Sequence, residues 1–203
     1  MSEERARTFL RWLKEPNSWL ALSAAVVSIS TFFLVYANPG KLQVVLPVEV
    51  GLRLRERNLE LLASVTLTNT GAPRTRQHVA TLLVELRPQE QPDFQPVALR
   101  WESEWAFIGY LEFQKRYPEK GEPWVEDYVV YVSRAAPFAV AGGESITKVM
   151  KFRQRLGNAD RRFVGSLQLK VIARTENEEF TRTAVFRCAE EVGKAKYDWC
   201  EKV

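Results

Sequence analysis

The sequence predicts an all-β body, an antiparallel β-sandwich, preceded by one N-terminal transmembrane helix. Three observations carry that prediction. No residue between Glu15 and Lys41 bears a formal charge, and residues 19–37 (WLALSAAVVSISTFFLVYA) are apolar all round. Beyond Lys41 the hydrophobic period changes to two, as strands with one buried face require. Turn signals then separate roughly seven such runs, which suits a sandwich better than a parallel α/β sheet.

As a helix, residues 19–37 would reach about 28 Å at ~1.5 Å per residue, close to the hydrocarbon thickness of a bilayer. Asn17 and Ser18 are N-cap types, and Pro39-Gly40 stops the run. Trp12 and Trp19 border one end and Tyr36 the other, where amphipathic rings favour the headgroup region. A buried helix of a soluble protein is the bland competitor, but the run lacks a polar stripe to face water. A cleaved secretion signal also competes, because basic residues precede the run and Val35-Tyr36-Ala37 obeys the small-residue rule. The long leading segment, and an apolar run beyond the usual ~7–15 residues, argue instead for a retained anchor.

Arg5, Arg7, Arg11 and Lys14 precede the span, whereas only Lys41 falls in the fifteen residues after it. That asymmetry predicts a single-pass protein of the inner (plasma) membrane, with residues 1–18 cytoplasmic and the C-terminal body periplasmic or extracellular. Within the span, Ala21, Ala24, Ala25, Ser28 and Thr31 gather small side chains toward one side, a face on which a partner helix could pack closely. Small residues are also common in membrane helices for unrelated reasons, and that reading carries equal weight.

Residues 38–187 form the sandwich in this reading. In LPVEVGLRL, Leu46, Val48, Val50, Leu52 and Leu54 share one face; in LELLASVTL, Leu59, Leu61, Ala63, Val65 and Leu67 do so. VATLLVEL aligns Ala80, Leu82, Val84 and Leu86, and further strands fall at DYVVYVS, SITKVMKF, GSLQLKVIAR and EFTRTAVFR. Thr70-Gly71-Ala72-Pro73, Gly142-Gly143 and Thr175-Glu176-Asn177 supply turns.

SVTLTNTGAPR (64–74), followed by PFAVAGGESITKVMKF (137–152), resembles bacterial immunoglobulin-like and cell-adhesion-related sandwich domains. In those domains a strand ends in an N-T-G turn and a later strand follows a small-Gly-Gly-Glu-Ser turn. The resemblance spans residues 42–187 and implies an immunoglobulin-like β-sandwich that binds other proteins or serves as a spacer. It supplies no site residue.

Residues 88–127 break the strand rhythm and read as an insertion rich in proline and aromatic side chains. Trp101, Trp105, Phe107, Tyr110, Phe113 and Trp124 are its candidate interface residues, since Trp and Tyr dominate protein interfaces. EWAFIGYLEFQKRY fits a short helix weakened by Gly109. Aromatic residues beside Lys115, Arg116 and Lys120 also suit a lipid surface, and a flap packed over one end of the sandwich competes with both readings.

Chemistry is sparse. A net charge of +4 suits anionic lipid or an acidic partner and does not argue for nucleic acid. His78 is the single histidine and no second His or Cys can complete a metal site with it, so no metal, cofactor or catalytic residue is assigned. Ser145-Ile-Thr-Lys148 has an S-x-x-K spacing, but on a strand its two ends face opposite ways. Glu102 and Glu104 in WESEW would share a strand face, as a two-carboxylate hydrolase needs, although paired acids on a solvated face are far commoner. Basic clusters at Arg74/Arg76, Lys151/Arg153/Arg155 and Arg161/Arg162 read mainly as solvated surface. Cys188 and Cys200 would close the tail, residues 188–203, by a disulfide worth roughly 2–3 kcal/mol in an oxidising compartment.

The functional expectation is a non-enzymatic interaction or scaffolding protein, an accessory subunit of a larger membrane complex. It would contact membrane lipid and an integral membrane partner through the anchor and the aromatic insertion. The alternatives are an extracytoplasmic ligand- or glycan-binding sensor with a pocket near Trp101 and Trp105, and the two-carboxylate hydrolase.

Overall fold

The computed structural model describes residues 16–37, 40–55, 57–90, 95–107, 109–116, 118–119, 129–157, 165–188 and 197–203. The apolar run forms α1 (Pro16–Phe32), which continues as a π-helical turn over Phe33–Ala37. Its stretch Trp19–Tyr36 has a mean hydropathy of 1.9 and none of it is buried against the rest of the chain. It is long and apolar enough to cross a membrane.

The body is β-rich and antiparallel throughout. Its elements are β1 (Leu42–Val45), β2 (Glu49–Arg55), β3 (Asn58–Asn69), β4 (Arg76–Val79), β5 (Thr81–Pro88) and β6 (Val97–Phe107). A short helix α2 (Tyr110–Arg116) precedes β7 (Val129–Arg134), β8 (Phe138–Ala141) and β9 (Ser145–Arg155). Then come β10 (Ser166–Arg174), β11 (Glu179–Cys188) and β12 (Asp198–Lys202).

Eight of these strands close on themselves in the order β3-β2-β12-β11-β10-β5-β6-β9, with β9 pairing both β6 and β3. The expected sandwich is therefore a closed barrel. Alternation fixes which face of a strand is buried but not which edges pair, so a sandwich and a barrel share the same sequence signature. Strand length decides between them. β3 is long enough to take both β2 and β1 on one edge and β9 on the other, and β6 takes β5, β7 and β9 in the same way. A bulge between Trp101 and Ser103 adds the coiling that closure needs.

A barrel of this size is just wide enough for side chains to fill it. Leu59, Leu61 and Leu67 of β3, Leu99 of β6, Phe152 of β9 and Phe186 of β11 are fully buried in its core. The separate β4–β8 ribbon lays Val79 and Val140, also fully buried, against that core.

Three expectations change. The boundary at 187 does not divide the structure, because β12 lies in 188–203 and bridges β11 to β2. The stretch 88–127 contains β6, a full wall strand, rather than only an insertion. Val48 is exposed where Pro47 separates β1 from β2, and Ala80 is exposed at the β4–β5 junction, so neither joins the inner face of its run.

Candidate functional site

The two turn motifs meet at one end of the barrel. Asn69, fully buried at the end of β3, donates from Nδ2 to the Val140 carbonyl (3.0 Å) and accepts from the Gly71 amide at Oδ1 (2.9 Å). Its backbone amide donates to the Glu144 carbonyl, and its carbonyl accepts from the Gly143 amide. Outside this node, Thr68 and Ser145 hydroxyls bond across β3 and β9 at 2.7 Å, and Thr66 and Thr147 do the same.

The start of the barrel at Lys41 is tied to this node. The Lys41 amide donates to Thr70 Oγ1, while the Thr70 amide and hydroxyl both donate to the Lys41 carbonyl, each at 3.0 Å. Gly40 has a φ of 65° and lies so close to Gly71 that a Cβ would sit 2.0 Å from its nitrogen. A Cβ on Gly142 would fall 1.7 Å from the Ala72 carbonyl oxygen. On the helix side, the Arg74 guanidinium lies 4.7 Å from the centre of the Tyr36 ring.

The six aromatic interface candidates divide. Trp101 packs on the core, edge-on to Phe138, with its indole N–H donating to the Ser103 carbonyl (3.0 Å). Phe113 of α2 is fully buried. Trp105 donates to Ser103 Oγ (2.7 Å), meets Tyr131 edge-on, and has the Lys151 ammonium 5.7 Å from its ring centre. Phe107 is 51% exposed. Tyr110 lies in α2 with its side chain outside the described set, and Trp124 lies outside the described residues. Tyr131 pairs with Trp105 across the β6–β7 ladder, and Phe107 pairs with Val129, so Trp105, Phe107 and Tyr131 share one face. Tyr131 and Val132 are over half exposed; the sequence marked DYVVYVS as a strand without showing that its aromatic ring faces out.

The bulge separates the two carboxylates of WESEW. Glu102 pairs with Arg153 (3.1 Å) and Lys151 (3.5 Å), whereas Glu104 pairs with Lys148 (2.6 Å). Lys151 and Arg153 lie on one face of β9 and Lys148 on the other, so the two acids diverge rather than converge. Ser145 and Lys148 are split in the same manner, Ser145 bonding Thr68 and Lys148 bonding Glu104.

The sequence did not reveal the carboxylate at the centre of the polar network. Glu60 is buried on the outer face, ion-paired with Arg53, 3.0 Å from Lys151 and 3.3 Å from the Tyr197 hydroxyl. Arg53 also stacks over the Tyr197 ring at 4.5 Å. Burial alone would raise the Glu60 pKa, but hydrogen bonds from Arg53 and Lys151, and their charges, hold it below the ordinary value.

Cys188 and Cys200 are directly opposite on β11 and β12 and are joined by a disulfide, with Cα atoms 4.2 Å apart. His78 is exposed on β4, and among the described residues no cluster of His, Cys, Asp or Glu could hold a metal ion. Arg76 is exposed, and Arg161 and Arg162 lie outside the described residues. Ala21, Ala24, Ala25, Ser28 and Thr31 are all exposed on α1.

No family model matches the chain, and no curated protein matches it in sequence. Among solved structures, the sporulation control protein Spo0M of Bacillus subtilis is similar over 76% of this chain and 49% of its own, at 13% identity and a TM-score of 0.30. This chain thus spans about half the length of that protein. At that score the likeness defines neither a fold nor a role.

Proposed function

We propose that the chain is a single-pass protein of the inner membrane whose barrel stands on the outer side and acts as an interaction or scaffolding subunit of a larger membrane assembly. The observation that carries this reading is the uncovered apolar helix, Trp19–Tyr36, joined to the barrel through a fastened junction at Gly40 and Lys41. With the barrel's hydrogen-bonded start at Lys41 only five residues past Tyr36, the barrel would stay close to the bilayer, which suits scaffolding better than a long free tether does. Arg5, Arg7, Arg11 and Lys14 before the span favour an N-terminus in the cytoplasm, and the Cys188–Cys200 bridge suits the oxidising side.

Two surfaces would meet the partner. The small face of α1 (Ala21, Ala24, Ala25, Ser28 and Thr31) would pack on a helix of an integral membrane protein. The exposed face of Trp105, Phe107 and Tyr131 would contact the same partner outside the bilayer. The hydrolase alternative loses its support because Glu102 and Glu104 engage cations on opposite faces of β9.

The test is purification of the full chain from membranes in mild detergent, with cross-linking and identification of what stays bound. The reading expects a stoichiometric integral membrane protein. A chain that purifies alone after cross-linking at native abundance contradicts it.

A further inference from the structure

β5 and β7 share one edge of β6 but part from each other along it. The β5 ladder ends at Leu83↔Arg100, and the β7 ladder begins at Ser103↔Arg134. At this fork a cleft of about 390 Å³ opens beside the barrel wall. The segment Ala135–Pro137 borders it, with the Ala135 amide held by the Glu102 carbonyl at 3.0 Å. Half-buried Trp101 and exposed Pro137 give the cleft apolar lining, Leu82 lies buried beneath it, and Arg100 and Arg174 are its two cationic lining residues.

These two arginines differ in their commitments. Arg174 is paired with Glu179 at 2.8 Å, whereas Arg100 is exposed and has no hydrogen-bond or ion-pair partner among the described residues. A guanidinium offers a planar fork of donors that matches a carboxylate, and an indole beside a proline suits the flat or apolar body of a ring. The volume falls in the range of small-molecule sites, roughly 300–1,000 Å³.

We propose that this cleft binds a small carboxylate carried on a ring, with the carboxylate on Arg100 at the outer face and the ring against Trp101 and Pro137. Arg174 adds long-range attraction while remaining paired. The site lies in the barrel wall and does not depend on where the anchor sits. It also differs from the outer aromatic face, since Trp105 takes no part in it.

Arginine-selective labelling with phenylglyoxal, read peptide by peptide in the full-length protein in detergent, tests the site. Glucuronate and benzoate are the probes, with glucose, acetate and inorganic phosphate as controls. Glucuronate or benzoate at millimolar concentration should slow labelling of Arg100 and Arg174 while leaving Arg155 and Arg187 unchanged. Protection by glucuronate assigns the ring to a sugar acid, and protection by benzoate alone assigns it to an aromatic acid. Arg100→Gln, an exposed substitution that leaves the fold intact, should raise the concentration needed to protect Arg174 about tenfold, the loss of one charge-assisted hydrogen bond. Equal protection by acetate or phosphate would show charge binding without ring recognition and overturn the proposal. So would no selective protection by either ring acid.

Discussion

Replacing both cysteines, Cys188→Ser with Cys200→Ser, should destabilise the barrel through its weakest seam. β12 is five residues long, pairs β11 at three positions and β2 at four, and among the described residues is the one strand joining those two walls. The bridge closes a loop of sequence separation 12. Chain-entropy reasoning assigns such a closure about 3 kcal/mol. For a body of this size each kcal/mol moves the melting temperature by about 2–4 °C, so the double variant should melt about 6–12 °C lower. Thermal unfolding in detergent gives the shift, and hydrogen exchange locates it. Protection should fall first in Asp198–Lys202, then along the newly exposed edges of β2 and β11. A shift under about 2 °C, with β12 protection unchanged, would refute the idea that the bridge holds the seam.

Glu60→Gln should cost about 2 kcal/mol, because Arg53 and Lys151 would keep their charges without a buried anion between them. The folded-state pKa of Glu60 lies below the ordinary glutamate value of 4.5, so its stabilisation is complete above that value and is lost as pH falls through the folded-state pKa. Acid-unfolding curves should therefore be shallower below pH 4.5 in the variant, and parallel curves would remove Glu60 from the explanation. Gly142→Ala should destabilise by about 3 kcal/mol, since its Cβ would collide with the Ala72 carbonyl; denaturant midpoints measure this, and a neutral effect would mean the node is loose. Asn69→Ala should cost about 2–3 kcal/mol by orphaning the Val140 carbonyl and the Gly71 amide, measured in the same way. Phe107→Ser with Tyr131→Ser should leave the melting temperature within about 2 °C and release the cross-linked partner; retained partner would place the contact elsewhere.

Most wall strands were legible because their alternation is regular. Leu59 to Leu67 in β3, and the even-numbered residues Leu82, Val84 and Leu86 in β5, face inward as the period requires. β6 was obscured by its own bulge. Val97, Leu99 and Trp101 alternate cleanly, then the extra residue shifts the parity and scatters the aromatic residues between core and surface. β12, with the sequence DWCEK, has no apolar period and owes its place to pairing with β2 and to Cys200. Glu60 looked like an ordinary outward residue of an alternating strand. Its burial comes from Arg53 and Lys151 on neighbouring strands and from Tyr197, 137 residues away, and local pattern cannot report such a convergence. The interlocking turns are the counter-case, for the turn residues legible in the sequence, Thr70-Gly71-Ala72-Pro73 and Gly142-Gly143, are packed together by the fold.

Alkaline carbonate extraction of membranes from cells making the full-length chain tests the anchor most directly, when combined with protease treatment of intact spheroplasts. The account predicts that the chain stays in the membrane pellet and that external protease reaches the barrel but not the residues before Pro16. Release into the supernatant, or a barrel protected until the membrane is broken, would contradict it.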